Sequence, residues 1–441
     1  GFTFKNQANN QTIATLNEGD ACKLFFSNSE KIATTTKGIS VTGEVAATQD
    51  YPDFRPTLDF NFAAVKKLDP RITYYRSGPA SYIDEFGIVK LVGDNAPRFD
   101  HDPTTRECKG LLIEESRTNF MKYSDEFAID HGQTGGNWDA IGGEDKWTRV
   151  SDTTETKDPA GTYTASKLTQ NSGNVLRGYW YSGAADGAVS KTFSVYLKRA
   201  TTDATTVTID IGDTSSTAMT LTDEWKRYSV TTSTAGNGNF VDFSATHTKA
   251  FYAWGCQIEA GGFATSYIPT STAAVTRGVD TVEIEDQEFT EFYNQTEGTL
   301  MVNGYTPPIT LAVSPATKNS VSLRGESQIL HSIRYVTHAS SATARYVDAY
   351  QILANGSSVV DHGGSNGIAI EDRYYKHITT FKKDDYAYTY GGASQVWTDT
   401  SGDLPEMNRL IIGEDPTQFF LKRVVYYPKR LPNSQLTTLV S

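Results

Sequence analysis

The sequence predicts an all-β protein, a β-structured N-terminal neck followed by two β-sandwich domains, and three observations predict it. Its apolar runs are short and alternate with polar residues, as strands with one buried face require. Aromatic residues make up 12% of the chain and, together with Val, Ile and Thr, fill those runs, a composition suited to pleated, half-buried surfaces. Gly, Asn, Asp, Ser and Pro interrupt the runs at close intervals, which is turn chemistry. At 441 residues the chain exceeds what one hydrophobic core serves, so two or three domains are expected.

The formal net charge is −12 and no basic run occurs. This argues against a nucleic-acid partner, because such affinity rests on clustered Lys and Arg neutralising phosphates, and it disfavours anionic membranes. No window approaches the ~20 apolar residues of a membrane-spanning helix, and no signal-peptide h-region opens the chain, so neither membrane insertion nor secretion by the general pathway is expected. Cys22, Cys108 and Cys256 are odd in number and far apart, which fits neither a disulfide framework nor a metal site. They are expected to be free thiols packed as small apolar side chains.

Residues 1–50 are rich in Asn, Gln, Thr and Gly, with alternating runs at Lys23–Phe26, Lys31–Thr35 and Gly38–Val45. The segment has too few apolar residues to bury a core of its own, yet it favours strands. That combination suits strands completing a core between identical chains, and a fibre-like trimer neck is expected in preference to a monomeric hairpin arm. In YPDFRPTLDFNFAAV, residues 51–65, Pro52 and Pro56 forbid a central strand, and the passage reads as a linker packed down by its aromatics. A β-rich collar follows, so that residues 51–116 form linker and collar. Its apolar runs Ile72–Tyr75, Tyr82–Ile83, Ile88–Val92 and Leu111–Ile113 are separated by Ser77-Gly78-Pro79, Asp84-Glu85-Phe86-Gly87 and Gly93-Asp94-Asn95.

Residues 117–280 alternate cleanly at Lys191–Leu197, Thr206–Ile211, Trp225–Val230 and Phe251–Ile258, the pattern of a sandwich. Residues 281–441 carry strand patterns at Gly298–Val302, Ile333–Val336, Ala344–Tyr350, Tyr374–Phe381, Asp385–Tyr390 and Leu410–Ile412. They close with a strand through Leu421, Val424 and Tyr426 that Pro428 ends, then a short helix near Gln435 capped by Leu431-Pro432-Asn433-Ser434.

The aromatics that a core does not require are the candidate binding residues. Tyr179-Trp180-Tyr181 puts consecutive rings on both faces of a strand or in a loop, so at least one is expected in solvent, where it can stack on a pyranose while Arg177 and its polar neighbours bond hydroxyls. Trp138 and Trp147, in the Gly-rich passage GGNWDAIGGEDKWTRV, are read in the same way. Trp225 and Trp254 sit inside clean alternation and are read as core. No catalytic residue, metal site or cofactor is expected. His101-Asp102, His331 and His338 lack the spacing of a ligand set and are read as turn and surface histidines. Asp384-Asp385 and Glu371-Asp372 are read as solvated acidic loops in preference to a calcium site.

Glu283-Ile284-Glu285-Asp286-Gln287-Glu288 resembles the E-x-D-x-x-E signature of concanavalin-like glycoside hydrolases, which pair carboxyl groups across a glycosidic bond. The central position is Glu285, not Asp, and Val282 and Ile284 alternate with Glu283 and Glu285, which points the charges to solvent. On this reading the chain is not an enzyme.

Wider resemblances cover most of the chain in pieces. PRITYYRSGPASYIDEFGIV, NAPRFDHDP and GLLIEESRTNF resemble a segment that recurs in tail-fibre, spike and adhesin proteins of bacteriophages and prophages. KLFFSNSEKIATTTKGISVTGEVAAT is similar to the end of fibre shafts, particularly in phages infecting marine cyanobacteria. SKTFSVYLKRA, TDEWKRYSV and YAWGCQIEAGGFATSYIPT resemble the jelly-roll, carbohydrate-binding-module-like domain of those proteins. EMNRLIIGED and FFLKRVVYYPKRLPNSQLTTLVS resemble the end of a concanavalin-like (laminin-G-like) sandwich. The resemblance implies an extracellular virion structural protein of a tail fibre or spike, a homotrimer that meets other tail or capsid proteins and binds host cell-surface polysaccharide. Its rivals are a capsid or tail decoration protein without receptor binding, and a glycan depolymerase, for which a long parallel β-helix or a pair of buried acids would be expected.

Overall fold

The computed structural model describes residues 1–8, 10–19, 21–35, 38–42, 55–127, 138–180, 190–203, 205–212, 214–232, 240–307, 316–326, 332–339, 345–354, 357–362, 368–369, 373–393, 395–415 and 418–441. The protein is all-β, built from antiparallel sheets, and divides into two compact units, Gly1–Tyr51 and Pro52–Ser441. The α-helices among the described residues are short: Phe62–Val65, Asp286–Thr290 and Asn433–Val440.

The first unit is a single five-stranded meander of Phe2–Lys5, Thr12–Leu16, Lys23–Phe26, Ser29–Thr35 and Gly38–Val41, each strand pairing with the next. Ala33 is its one buried apolar residue among those described.

In the second unit, two sheets made from residues 138–260 face each other. One runs in the order Trp138–Ala140, Leu176–Tyr179, Phe240–Ala245, Thr206–Ile211, Thr214–Ser215 and is called here the Trp138 sheet. The other, the Trp254 sheet, runs Trp147–Val150, Ser166–Gln170, Ala250–Ala260, Lys191–Arg199, Lys226–Thr232. Alternation delivers one face of each to a shared core of Trp138, Leu176, Val207, Ile209, Val241 and Phe243 against Leu168, Phe193, Val195, Phe251 and Ile258.

A second sandwich closes the chain. Its first sheet centres on Phe419–Tyr427, which pairs on one side with Glu297–Thr306 and on the other with Cys108–Ile113 and Leu58–Asn61. Its second sheet contains Ala316–Arg324, Arg409–Asp415, Thr281–Glu285 and, at one edge, Thr73–Tyr75. Strands of the linker and collar therefore hydrogen-bond into sheets whose other strands lie more than 150 residues away. The passage expected as a linker contributes the strand Leu58–Asn61, and Leu58, Phe60 and Phe62 enter the core of this sandwich. Pro56 precedes that strand and does not interrupt its ladder, and Pro52 lies outside the described residues. The terminal helix begins at Asn433, but Asn433 does not cap it, because its side-chain oxygen accepts from Arg430 Nη1 at 2.8 Å. Leu436 and Val440 of this helix cover Met301, Ile378 and Val425 on the outer side of the first sheet.

A sealed charge cluster ties these parts together. Arg76, Arg98, Glu114, Arg277 and Asp280 are all 0% exposed. Arg98 bonds both Glu114, at 2.6 Å, and Asp280; Arg277 reaches Glu114 at 2.9 Å and Arg76 reaches Asp280 at 3.3 Å. Ser266 donates its backbone N–H (2.8 Å) and its hydroxyl (2.6 Å) to Glu114, and Gln418 Nε2 adds a further bond at 2.8 Å. Burial alone would raise Glu114, but Arg277, Arg98 and the Ser266 bonds outweigh it and bring its pKa to about 2.

Candidate glycan-binding face

The outward face of the Trp138 sheet gathers polar and aromatic groups into one row. The strand Leu176–Tyr179 turns Leu176 and Gly178 into the core and leaves Arg177 and Tyr179 half-buried on the outside. Gly178 is required there: a Cβ would lie 2.9 Å from the Trp138 ring and 2.7 Å from Met121 Cε. Register then sets Asp139 opposite Arg177, Arg177 opposite Asp242, and Asp242 opposite Asp210, while Tyr179 lies opposite Phe240. Four adjacent strands thus carry Asp139, Arg177, Asp242 and Asp210 side by side over about 14 Å, given the ~4.8 Å spacing of strands.

The centre of the row is rigid. Arg177 forks onto Asp242 through Nε–Oδ1 and Nη2–Oδ2 bonds of 2.7 Å each, and its guanidinium carbon sits 3.7 Å from the centre of the Phe240 ring. The hydrogen bonds to Asp242 raise the Arg177 pKa, so this cation is permanent. Planar donors, carboxylate acceptors and ring faces at strand spacing are the groups that engage vicinal hydroxyls and the apolar face of a sugar ring.

Of the residues singled out in the sequence, Arg177 and Tyr179 belong to this row, and Tyr181 lies outside the described residues. The three tryptophans do not point outward. Trp138, Trp147 and Trp180 are all buried in the sandwich core, so none presents an indole face to a ligand. Trp138 stacks on Phe243 at 5.1 Å, and Trp147 spends its N–H on the Asn174 carbonyl at 2.8 Å. The reason is strand parity: in Tyr179-Trp180 the outward ring is the tyrosine. Trp225, read as core, is instead half-exposed and donates to the Lys157 carbonyl at 2.8 Å, whereas Trp254 is buried.

Asp139, Asp210, Phe240 and Asp242 were missed. For Asp210, Phe240 and Asp242 a signal was present in Phe240-Val241-Asp242-Phe243-Ser244 and Thr208-Ile209-Asp210-Ile211, where Thr208, Asp210, Asp242 and Ser244 alternate with the core residues and Phe240 shares their face, but which strands stand side by side is not written in either run.

The remaining candidates are dispersed. Glu283 and Glu285 alternate with buried Val282 and Ile284, and Glu285 pairs with Arg409 at 3.7 Å. His101, expected at the surface, is a buried strand residue whose Nδ1 meets the Ile83 carbonyl at 3.0 Å. His331, Glu371 and Asp372 lie outside the described residues. Asp384 holds the Gly402 N–H at 3.1 Å and Asp385 pairs with Arg430 at 2.8 Å, so this acidic turn is engaged by its own chain. Among the described residues no three His, Cys, Asp or Glu gather as a metal site, and no helix is long and apolar enough to cross a membrane. All three cysteines are free, but Cys22 is exposed and Cys108 half-buried; only Cys256 is packed in the core.

No family model and no curated protein matches the chain. Solved structures similar to it include a mutant of Trypanosoma rangeli sialidase displaying trans-sialidase activity, at 14% identity over 36% of this chain and 26% of that one, with a TM-score of 0.26. They also include the CBM2 module of the evolved Dit of Lactobacillus casei BL23 phage J-1, at 8% identity over 35% of this chain and 71% of the module, TM-score 0.23. A third is the CBM22-1-CBM22-2 tandem of Paenibacillus barcinonensis Xyn10C, at 10% identity over 70% of this chain and 99% of the tandem, TM-score 0.21. The chain thus spans about a quarter of the sialidase. Because an enzyme stands among these structures, the exclusion of catalysis drawn from motifs is withdrawn; at such scores the likenesses assign no activity.

Proposed function

We propose that the chain is a glycan-binding structural protein of a phage tail fibre or spike, homotrimeric through residues 1–50, with residues 117–280 as the sugar-binding domain that attaches the particle to cell-surface polysaccharide. The observation that carries the binding role is the Asp139–Arg177–Asp242–Asp210 row with Tyr179 and Phe240 beside it. Hydrogen-bonding side chains beside two aromatic rings suit a neutral, hydroxyl-rich glycan as the ligand. A single such face binds weakly, and three copies on one trimer raise the effective affinity through avidity. The attachment role rests on the resemblance of the collar and of both sandwich endings.

The test is binding of the full chain to an array of neutral and acidic glycans, repeated with Tyr179→Ala and Asp139→Asn. Binding to neutral glycans that each substitution weakens at least tenfold, with an unchanged circular dichroism spectrum, is the expected result. Binding that ignores both substitutions would remove the site. No binding to any glycan would favour a decoration role within the particle.

A further inference from the structure

The first unit presents two faces of opposite chemistry. Register across all five strands aligns Phe4, Ala14, Leu24, Ile32 and Val41 in one row, and Thr3, Thr15, Lys23, Ala33 and Ser40 in the next. Side chains two residues apart share a face, so Phe2 with its partner Leu16, and Ile39, extend the first row into a continuous apolar surface. That surface is bare in the single chain: Phe2 is 73% exposed, Ile39 70%, Phe4 53% and Leu24 49%. Its side chains leave on the order of 700 Å² of apolar area in water, close to the ~800 Å² that one partner contributes to a standard interface. Patches of that size are uncommon on monomers.

We propose that this face is the interface through which copies of the chain assemble, each copy's Phe2–Phe4–Leu24–Ile32–Val41 surface packing on the same surface of its neighbours. The inference rests on the homotrimeric part of the reading above and names the residues that would build it. The chain itself supplies the argument for the occupant. A single-layer sheet with one buried apolar residue has no core, so its stability requires a covering layer. Beyond residue 52, the large apolar side chains left exposed among the described residues are Val65, Tyr75, Phe86, Leu91, Val150, Tyr163 and Tyr374, spread over separate turns and strands. They offer no apolar face of matching breadth. The same face on other copies does, and three such faces turned toward a common axis bury one another in a closed cyclic assembly. The opposite face, with Thr3, Thr15 and Ser40 and with Lys23 paired to Glu30 at 3.0 Å, carries Ile13 and Phe25 as its large apolar side chains and is the more polar of the two.

The experiment is the mass of the full chain by light scattering, for the unaltered protein, for Phe4→Glu with Leu24→Glu in the middle of the face, and for Thr3→Glu with Thr15→Glu on the opposite one. A trimer that the first pair converts to monomer and the second leaves intact is expected. A trimer that survives Phe4→Glu with Leu24→Glu overturns the face and leaves the homotrimer standing. A monomeric unaltered chain overturns the homotrimer and this inference with it. Because the first pair can also unfold the sheet, Cys22 supplies a reading without substitution. It is exposed in the single chain and, two residues before Leu24, lies on the apolar face. Assembly through that face slows maleimide labelling of Cys22 at least tenfold relative to the denatured chain; labelling of the trimer at the denatured rate overturns the proposal.

Discussion

Two arginine–carboxylate constellations occupy the second unit, and they are built oppositely. Around Arg98, three guanidinium groups and two carboxylates from residues 76, 98, 114, 277 and 280 are wholly removed from water. Around Arg177, the partners come from neighbouring strands of one sheet, and Arg177 keeps 27% of its side chain exposed. The first draws its members from segments far apart in the chain and bonds them to backbone and Ser266 groups, so it holds the collar, the end of the jelly-roll-like sandwich and the last sheet in one geometry. The second leaves a polar rim at the surface. The same chemical groups serve as a fastener where water is excluded and, on the function proposed above, as a recognition surface where one partner reaches water, because the cost of leaving a charge unpartnered is larger in the first setting.

Substituting the central arginine of each cluster with an uncharged residue of similar length is the most direct way to break that comparison. Arg98→Met leaves Glu114 and Asp280 short of their shared cation, and a loss of about 3–5 kcal/mol in urea unfolding is expected. A loss below about 1 kcal/mol would mean that the cluster is not a fastener.

Asp100 sharpens the sealed side of the comparison. Burial pushes its pKa from 3.8 up to about 7, a rise that the Ile83 N–H, Lys109 and Arg98 only partly offset. The folded chain thus keeps a proton that the unfolded chain has already released, so Asp100 makes stability fall as pH rises from about 4 to about 7. Asp100→Asn, which retains an acceptor for the Ile83 N–H, is expected to be about 2–4 kcal/mol more stable than the parent at pH 8 and nearly equal to it at pH 4. Urea midpoints at both pH values check this, and equal midpoints at pH 8 would refute it. Glu114 acts in the opposite sense: its folded pKa of about 2 lies below the ordinary 4.5, so its contribution is present above pH 4.5 and is lost as pH falls toward 2.

The smallest effect is expected at the open cluster. Arg177→Met removes the fork from Asp242, whose side chain is 8% exposed while that of Arg177 is 27% exposed, and its stability cost should be about 1–3 kcal/mol, below that of Arg98→Met. Glycan binding should weaken at least tenfold in the same protein. A stability loss matching that of Arg98→Met would erase the distinction between the two clusters.

Many strand positions were readable. The runs at 191–197, 206–211, 251–258 and 298–302 all lie within observed strands, because period-2 alternation is a local property of a half-buried strand. The tryptophans were misread for the complementary reason. A Gly-rich neighbourhood around Trp138 looked like an exposed loop, whereas Gly178, forty residues away, is the space that lets the indole lie flat in the core. Trp225 was read inward from its alternation, yet it precedes the strand Lys226–Thr232 and follows no strand parity.

Composition, alternation and turn chemistry were sufficient for the all-β class, for the expectation that residues 1–50 bury no core of their own and for an outward ring within Tyr179-Trp180-Tyr181, but not for which ring it is. They did not reveal that Leu58–Asn61 would pair with a strand some 365 residues later, that Arg98 would find Glu114 and Asp280, or that Asp139, Asp242 and Asp210 would line up beside Arg177. Alternation records only whether a side chain points inward or outward. Which strands become neighbours is decided when distant segments exclude water together, and that choice converts outward residues into a row and buried charges into a fastener.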